Sequence, residues 1–394
     1  MRRAPERIRH GPEGGASGRR TRTRVSLVHG TAADVRRKLD RLVEYARGHR
    51  RALILTHDNP DPDSLASGVA LAWLLGKLAG VEAVVAYGGI VGRAENRALV
   101  RVLRLPVVPL SRVVFADYDL IAMVDTQPEQ GNHSLPTAHF PDVVIDHHPE
   151  RPETRLAAVA DVGRDTGATS TVVSDYLRAS RLTVPSPIAT ALFYGIKSDT
   201  RDLERERSPE DISAYLWLFP QVDTQALAAI EHPRLPEDYF RMFHAAVEKA
   251  VLYDGAVFCD LGRVYYPDLV AEVADRFLSM AEVRWSLAFG EYQGNVYFSL
   301  RTRDRRKNAG RLIREVIEDR GGSAGGHGSM AGARLSVKGL RLAARRRLLR
   351  DIQDRFLRAL GVASRRPRRL VRTPVAPPPR AGARPTARRP RRPA

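Results

Sequence analysis

Acidic and imidazole side chains follow apolar segments at four places in this chain of 394 residues. The first place is the stretch from His57 to Asp63, directly after the apolar run ALILT. Asp125 follows the run LIAMV, an Asp-His-His triplet follows VVI, and Asp199 follows a segment that ends in FYGIKS. The candidate site residues are His57, Asp61, Asp63, Asp125, Asp146, His147, His148 and Asp199.

Carboxylate oxygen and imidazole nitrogen, without thiolate, are ligands for hard or borderline divalent cations. Five carboxylates and two or three imidazoles are enough for two ions, and carboxylates that lie so close need cations because they repel one another. Two ions about 3.5–4 Å apart can share a bridging hydroxide and polarise a phosphoryl group. The pattern predicts a site for two divalent cations, with Mn²⁺ the first choice and Mg²⁺ or Co²⁺ as alternatives.

Each of these residues also has an ordinary structural explanation. An aspartate after a strand, such as Asp125 or Asp63, is a common turn residue or helix cap. Thr169 and Ser170 open a predicted helix and can either line a cleft or cap that helix. The agreement of three strand ends, one of which carries His-x-x-x-Asp-x-Asp, favours one shared site over separate coincidences.

Strand and helix patterns alternate around these residues. Buried strands are predicted over 52–56, 83–86, 120–124 and 143–145, and helices over 31–47, 63–78, 167–178 and 188–197. This alternation predicts an α/β fold with a doubly wound, mainly parallel sheet. Ligands of such sheets bind outside the carboxyl ends of the strands, so the acidic segments are expected to meet at one edge.

A second, smaller α/β unit is predicted after a broken helical stretch near 209–252. Its strands are predicted over 256–261, 283–289 and 295–301, and its helices over 268–280, 310–320 and 340–360, with a Gly-rich loop after residue 320. The expected domains are a disordered basic arm at 1–28, a metal-binding domain at 29–225, a helical connection at 226–252, a substrate domain at 253–363 and a disordered tail at 364–394.

The net charge of +19 is concentrated at the two ends of the chain. Residues 1–24 hold eight arginines and two acids, and residues 364–394 hold eleven arginines and no acid, which leaves the body close to neutral. Both ends have the low-complexity composition of disordered segments. They can serve solubility alone, or they can make nonspecific contacts with nucleic acid through its phosphates.

The cysteine content and the hydropathy of the chain indicate the cellular compartment in which it is expected. Cys259 is the single cysteine, which excludes an intramolecular disulfide and a zinc site of several thiolates. No apolar run approaches the roughly 18 residues of a membrane span, and no apolar segment of a secretory signal follows the Arg-rich start. We expect a cytoplasmic protein with no membrane partner, and a homodimer is one alternative for its oligomeric state.

At these residues the chain resembles the DHH phosphoesterase family. The resemblance rests on the triplet Asp146-His147-His148 and on the first motif, His57-Asp58-Asn59-Pro60-Asp61-Pro62-Asp63. The second unit resembles the DHH-associated domain, because its Gly-rich loop contains Gly325-Gly326-His327 and Arg301 matches the arginine of a Ser-Leu-Arg strand. The motifs occur in the family's order over roughly residues 30–340.

The resemblance implies a role for each of these residues. The implied ligands of one ion are His57, Asp61 and Asp125. The implied ligands of the other ion are Asp63, Asp125, His147 and Asp199, with Asp125 as the bridge. His148 would face the substrate phosphate, Asp146 would orient the histidines, and Asn59 would support the ligands from behind. The implied substrate-binding residues are Arg301, Gly325, Gly326 and His327.

The resemblance implies a hydrolase acting on ester bonds of short RNA or DNA oligonucleotides or nucleotides. The compact nanoRNase (oligoribonuclease) and pAp-phosphatase type is the favoured relative, since a near-neutral body suits small substrates. The alternatives are a cyclic-dinucleotide or pApA phosphodiesterase, a RecJ-like single-strand exonuclease, and a non-catalytic scaffold that binds nucleic acid. The complete ligand set disfavours the scaffold. Arg201 is a departure, since related oligoribonucleases often carry glycine there.

Overall fold

The computed structural model describes residues 31–204, 207–304, 306–362 and 367–371, with the backbone alone at His327. The predicted arm at 1–28 lies outside these residues, as does most of the predicted tail at 364–394. Two sheets with helices packed against them account for most of the described chain. The predicted α/β architecture, a parallel sheet followed by a smaller α/β domain, is confirmed.

The first sheet is parallel throughout. Its strands are β1 (Arg51–Leu55), β2 (Glu82–Tyr87), β3 (Val107–Pro109), β4 (Leu120–Val124), β5 (Val143–Asp146) and β6 (Val159–Val162). Over the described residues their spatial order is β3-β2-β1-β4-β5-β6, so the chain winds outward in both directions from β1 and β4. A crevice opens where a strand order reverses in this way, and His57 and Asp125 follow the two strands that flank it.

Two apolar clusters of different size cover the two faces of this sheet. The helices of this part are α1 (Ala32–Ala46), α2 (Pro62–Ala79), α3 (Ala94–Val102), α4 (Thr169–Ser180) and α5 (Ser186–Asp199). They contribute to the larger cluster, which includes Ile54 of β1. The alternate residues Leu53 and Leu55 face a smaller cluster, to which the irregular segment 108–118 contributes. Burial of the strands on both faces explains their nearly continuous apolar sequences.

α2 is buried along most of its length, between the sheet and helices α4 and α5. It begins slightly earlier than the sequence predicted, because Asp61 caps it by accepting the Ser64 N–H at 2.9 Å. Pro62 then occupies the first turn, where its missing N–H leaves no hydrogen bond unmade. Among the described helices, α2 included, none combines the length and the apolarity that a membrane crossing requires.

Several short elements were missed by the sequence prediction. β3 and β6 have only three and four residues, too few for a clear pattern. β6 also carries a buried aspartate, Asp161, which accepts the hydroxyl of Tyr176 at 2.6 Å. α3 has nine residues and follows a loop rich in glycine.

Three helices lead from the first sheet to the second. They are α6 (Pro209–Leu218), α7 (Thr224–Glu231) and α8 (Glu237–Lys249). The breaks between them fall at Pro220 and at 232–236, near the prolines from which they were predicted. The predicted connection at 226–252 contains α8, and the domain limits at 225 and 252 stay predictions.

The second sheet is mixed, with helices on both faces. Its elements are β7 (Val251–Tyr253), β8 (Ala256–Arg263), α9 (Asp268–Leu278), β9 (Trp285–Tyr292), β10 (Asn295–Thr302), α10 (Ala309–Ile317), β11 (Ser323–His327), β12 (Met330–Ser336), α11 (Leu342–Ala359) and β13 (Arg368–Arg369). In the described chain the strand order is β11-β12-β10-β9-β8-β7-β13, and only β8 and β9 are parallel neighbours. α10 and α11 pack on one face, whereas α8 and α9 pack on the other.

The Gly-rich segment is a β-hairpin rather than the predicted loop. β11 and β12 pair antiparallel, with His327 opposite Met330. Gly326 has a φ of 130°, and a Cβ atom there would overlap Ala331, so the hairpin itself requires glycine at this position. Glycines lack the alternating side chains from which a strand is recognised, which explains the wrong prediction.

Part of the predicted disordered tail is ordered against the second sheet. Arg368 and Arg369 pair antiparallel with Leu252 and Val251 of β7. The Leu370 N–H also donates to the carbonyl of Ala250 at 3.0 Å. The prediction of disorder is therefore wrong for these residues, because β7 offers edge hydrogen bonds that composition does not reveal.

The approach of α5 to α2 and α4 provides a stability test. A Cβ atom on Gly195 would overlap the Ser170 hydroxyl and lie 3.2 Å from Asp63 Cα. We expect Gly195→Ala to lower the free energy of unfolding by about 1–3 kcal/mol, as overpacking does, measured by urea denaturation. Gly76→Ala is the matched control, because its Cβ would lie 3.6 Å from the nearest atom, so helix propensity should raise stability by about 0.5–1 kcal/mol. An unchanged midpoint for Gly195→Ala would contradict this packing.

Candidate metal centre

The first group of ligand-type side chains is His57, Asp61 and Asp125, with one ligand atom of each within 4.8 Å of the others. His57 Nε2 lies 3.5 Å from Asp61 Oδ1 and 3.6 Å from Asp125 Oδ2. His57 Nδ1 lies 3.0 Å from the carbonyl oxygen of Asp58. Because a carbonyl only accepts, Nδ1 donates to it, and Nε2 is the nitrogen that faces the two carboxylates and could bind a cation in place of a proton.

The second group is Asp63, His147 and Asp199, in which ligand atoms are equally close. His147 Nε2 lies 3.6 Å from Asp199 Oδ2 and 3.7 Å from Asp125 Oδ1. His147 Nδ1 donates to the carbonyl of Thr166 at 2.9 Å, which again turns Nε2 toward the carboxylates. This Nε2 atom is buried and has no hydrogen-bond partner among the described residues. A buried nitrogen without a hydrogen-bond partner is expected where an imidazole binds a cation.

Asp125 lies between the two groups, since its Oδ2 faces His57 of the first and its Oδ1 faces His147 of the second. It has a φ of 59°, in the left-handed region that a non-glycine residue adopts only at a cost. Separations of 3.5–3.7 Å are too long for hydrogen bonds. They suit ligands of one cation, because two atoms bound at about 2.1 Å lie at most about 4.2 Å apart.

The electrostatics of the cluster also favour cations. Burial and the neighbouring carboxylates of Asp63 and Asp61 raise the pKa of Asp125 well above its usual range. Burial by itself lowers the pKa of His57, but Asp61, with smaller contributions from Asp58 and Asp199, outweighs this effect and raises the pKa to about 9. Without cations the cluster therefore takes up protons to relieve its negative charge. The residues fit a divalent ion, which would supply that positive charge instead.

The start of α4 holds Asp63 and Asp125 in place. The N–H groups of Thr169 and Ser170 donate to the two carboxylate oxygens of Asp63, each at 2.7 Å. The Thr169 hydroxyl donates to Asp125 Oδ1 at 2.8 Å and accepts the His147 N–H at 3.2 Å. Thr169 and Ser170 therefore line the candidate site, since their backbone N–H groups hold Asp63. The partial positive charge of a helix N-terminus favours an anion there.

His148 and Asp146 form a third group with Asp125 and His147, in which ligand atoms also lie within 4.8 Å of one another. His148 Nδ1 lies 2.8 Å from Asp146 Oδ1, and Asp146 is fully buried. Gln127 donates from Nε2 to the other oxygen, Asp146 Oδ2, at 2.8 Å. Gln127 Oε1 in turn accepts the N–H of Arg151 at 2.9 Å and the hydroxyl of Thr154 at 2.8 Å. The sequence analysis missed Gln127, whose one signal was its place two residues after Asp125.

Asn59 and Asp58 lie in the first motif but bond to neighbouring loops. Asn59 has a φ of 55°, and its side-chain oxygen accepts the Ile90 N–H at 3.2 Å, which ties the motif to the loop after β2. Asp58 accepts the hydroxyl of Ser134 at 2.7 Å. Both residues shape the loop that carries His57 and Asp61.

The predicted substrate residues lie in the second sheet. Arg301 is on β10, and its buried guanidinium donates to Asp275 Oδ1 at 2.8 Å and to the carbonyls of Leu300 and Ala331. Gly325, Gly326 and His327 are on β11, paired with β12. Asp275 also pairs with Arg93 and Arg201 of the first domain, so Arg301 stands at the junction between the domains.

Thr169 provides a test of how the ligands are positioned. Thr169→Val keeps the shape of the side chain but removes the hydroxyl between Asp125 and His147. Loss of such a supporting hydrogen bond typically weakens metal binding about 10–100-fold. We expect that loss in Mn²⁺ titrations followed by calorimetry, without a change of fold. Ser174→Ala removes another buried hydroxyl of α4, which donates to the Ser170 carbonyl, and should leave Mn²⁺ affinity unchanged. Equal affinities for Thr169→Val and the unmodified chain would refute the role of the hydroxyl.

Comparisons with known proteins find two matching domains and a relative that matches over most of the chain. Residues 51–196 match the N-terminal domain of the DHH family, and residues 254–356 match the DHHA1 domain. An uncharacterized protein of Methanocaldococcus jannaschii is 32% identical over 309 residues, which are 78% of this chain and 62% of the relative. The chain thus spans less than two thirds of that relative's length.

A solved structure shares the fold. The exopolyphosphatase-related protein from Bacteroides fragilis superposes with a TM-score of 0.64 at 16% identity, over 82% of this chain and 98% of that one. The acid cluster lies within and just beyond the first matched segment. The chain therefore contains a DHH-family N-terminal domain followed by a DHHA1 domain.

Proposed function

We propose that this chain is a metal-dependent phosphoesterase that hydrolyses phosphate esters of short oligonucleotides or nucleotides. The observation that carries the proposal is the position of Asp125, whose two carboxylate oxygens face different histidines, Oδ2 at 3.6 Å from His57 and Oδ1 at 3.7 Å from His147. A centre for one ion would need neither the second histidine nor the divided carboxylate. The matches to the DHH N-terminal domain and to the DHHA1 domain support the same interpretation.

The proposal assigns one cation to His57, Asp61 and Asp125, and the other to Asp63, Asp125, His147 and Asp199. Bound cations would polarise the phosphoryl oxygens and make a water molecule acidic enough to act as a nucleophile at neutral pH. The oxygen and nitrogen ligands suit Mn²⁺, which we propose as the working ion ahead of Mg²⁺ and Co²⁺.

His148, held by Asp146, is proposed to donate a proton during hydrolysis. Asp146 accepts the Nδ1–H of His148 and so fixes the orientation of the ring, while Gln127 holds the carboxylate from the other side. A protonated His148 then presents its Nε2–H to the phosphoryl or leaving-group oxygen, where negative charge develops.

The second domain is proposed to bind the substrate through Arg301, Gly325, Gly326 and His327. The junction around Arg301 supports this, because arginines of both domains meet there. Guanidinium groups bind phosphates through paired hydrogen bonds. We propose substrates of the nanoRNase and pAp-phosphatase type, which are small and anionic, since the body of the chain is close to neutral.

Asp125→Asn provides the test of the proposed function. The variant keeps the size of the side chain but removes the charge that both cations would share, so it should bind less Mn²⁺ and lose turnover. The assay follows release of phosphate or mononucleotide from pAp, pApA, a five-nucleotide RNA, single-stranded DNA and cyclic di-AMP, each with Mn²⁺, Mg²⁺ or Co²⁺.

Asp58→Asn is the control, since it alters a carboxylate of the same motif that bonds Ser134 instead of the cluster. It should keep both metal binding and turnover. Turnover that persists in Asp125→Asn would count against the shared carboxylate. Absence of turnover by the unmodified chain on the whole panel would count against the proposed substrates.

A further inference from the structure

Asp211, in the first turn of α6, is a fully buried carboxylate outside the candidate metal centre. Its Oδ2 accepts the Gly167 N–H at 2.8 Å, the Ser208 N–H at 2.6 Å and the Ser208 hydroxyl at 2.9 Å. Its Oδ1 accepts the hydroxyl of Thr171 at 2.5 Å. A buried carboxylate requires donors of this kind, because water cannot solvate its charge. Two of its partners, Gly167 and Thr171, belong to the start of α4 and not to its own helix.

α4 begins without a capping side chain of its own. Its N-cap residue is Ala168, whose methyl group cannot accept a hydrogen bond. Carboxylates from two other helices take over this role. Asp63 of α2 accepts the first two N–H groups of α4, and Asp211 of α6 accepts the N–H of Gly167, just before the helix. Asp63 is a candidate metal ligand, so Asp211 is the one of the two that can hold the start of α4 without binding a cation.

A single peptide group connects Asp211 with the candidate metal centre. The peptide group between Thr166 and Gly167 donates its N–H to Asp211 Oδ2, and its carbonyl oxygen accepts the Nδ1–H of His147 at 2.9 Å. The other ring nitrogen, His147 Nε2, is the buried atom that faces the carboxylates of the centre. Hydrogen bonds in a chain polarise one another. A negative charge at the N–H end of this peptide group therefore makes its carbonyl oxygen a stronger acceptor for His147.

We propose that Asp211 is a positioning residue for the candidate metal centre and acts on His147 through the peptide group between Thr166 and Gly167. Its charge strengthens the hydrogen bond from His147 Nδ1, which fixes the ring and makes Nε2 a better electron donor to a cation. Metal-binding histidines commonly donate their other N–H to a carboxylate or to a backbone carbonyl. Here the imidazole bonds a carbonyl that is itself polarised by a carboxylate. The inference rests on the proposed function for the presence of the cation.

Asp211→Asn tests the charge, because the amide keeps an oxygen for the Gly167 N–H and loses the negative charge. We expect the full chain with this substitution to bind Mn²⁺ about tenfold more weakly in calorimetric titrations, within the 10–100-fold losses typical of residues that support metal ligands. A second measurement follows the Nδ1 proton of His147 by nuclear magnetic resonance, in chain labelled with ¹⁵N at histidine and freed of metal by chelation. Its signal, assigned by its loss in His147→Gln, should move upfield in Asp211→Asn because the hydrogen bond weakens.

Two variants serve as matched controls. Ser208→Ala removes the capping hydroxyl of α6 but keeps the charge of Asp211. Asp161→Asn removes the charge of another buried carboxylate of the first domain, which accepts the hydroxyl of Tyr176 at 2.6 Å. Both variants should keep the Mn²⁺ affinity and the His147 signal of the unmodified chain.

Unchanged Mn²⁺ affinity in Asp211→Asn overturns the proposal. An equal loss of affinity in Asp161→Asn also overturns it, since the loss of any buried carboxylate would then have the same effect. If the unmodified chain binds no Mn²⁺, the candidate metal centre is contradicted, and the His147 signal alone decides whether Asp211 acts on this ring. If thermal unfolding shows that Asp211→Asn does not fold, Asp211→Ser is measured in its place against the same expectations.

Discussion

Carboxylates crowd together at the carboxyl edge of the first sheet, and the surrounding elements offset the repulsion between them. Asp63 accepts two amide groups from the start of α4, Asp146 accepts Gln127 and His148, and Asp125 accepts Thr169. These hydrogen bonds fix the orientation of each carboxylate but leave most of its charge in place. The positive charge that balances these carboxylates has to come from protons or from cations, and the orientation of the imidazoles suits cations.

In this fold the geometry of the candidate metal centre depends on how the helices pack. α2 carries Asp63, α4 supplies the amides that hold it, and α5 ends in Asp199. Gly195 lets α5 approach both of the other helices closely. A change in this packing would therefore move candidate metal ligands that belong to different elements. The buried apolar surface of the helices is what keeps the charged groups together against their repulsion.

Much of this arrangement can be predicted from the sequence, because strands with continuous apolar runs mark where each acid must lie. The ends of β1, β4 and β5 were located in this way, and they meet as expected. Supporting residues are harder to find, since Gln127 acts through contacts with residues about 20 positions away. The hairpin at Gly325 and Gly326 was not predicted, because glycines lack the alternating side chains that indicate a strand. The contact of Asp275 with two arginines of the first domain depends on how the domains pack, which no local pattern encodes.

The pairing of Arg368 and Arg369 with β7 has a consequence for the behaviour of many copies of the chain in solution. An unpaired strand edge offers free N–H and carbonyl groups to another molecule and is a starting point for aggregation. The two-residue strand uses those groups on part of β7 and leaves an edge that is short and positively charged. Two such edges repel each other, so this end of the sheet resists strand-to-strand association at high protein concentration.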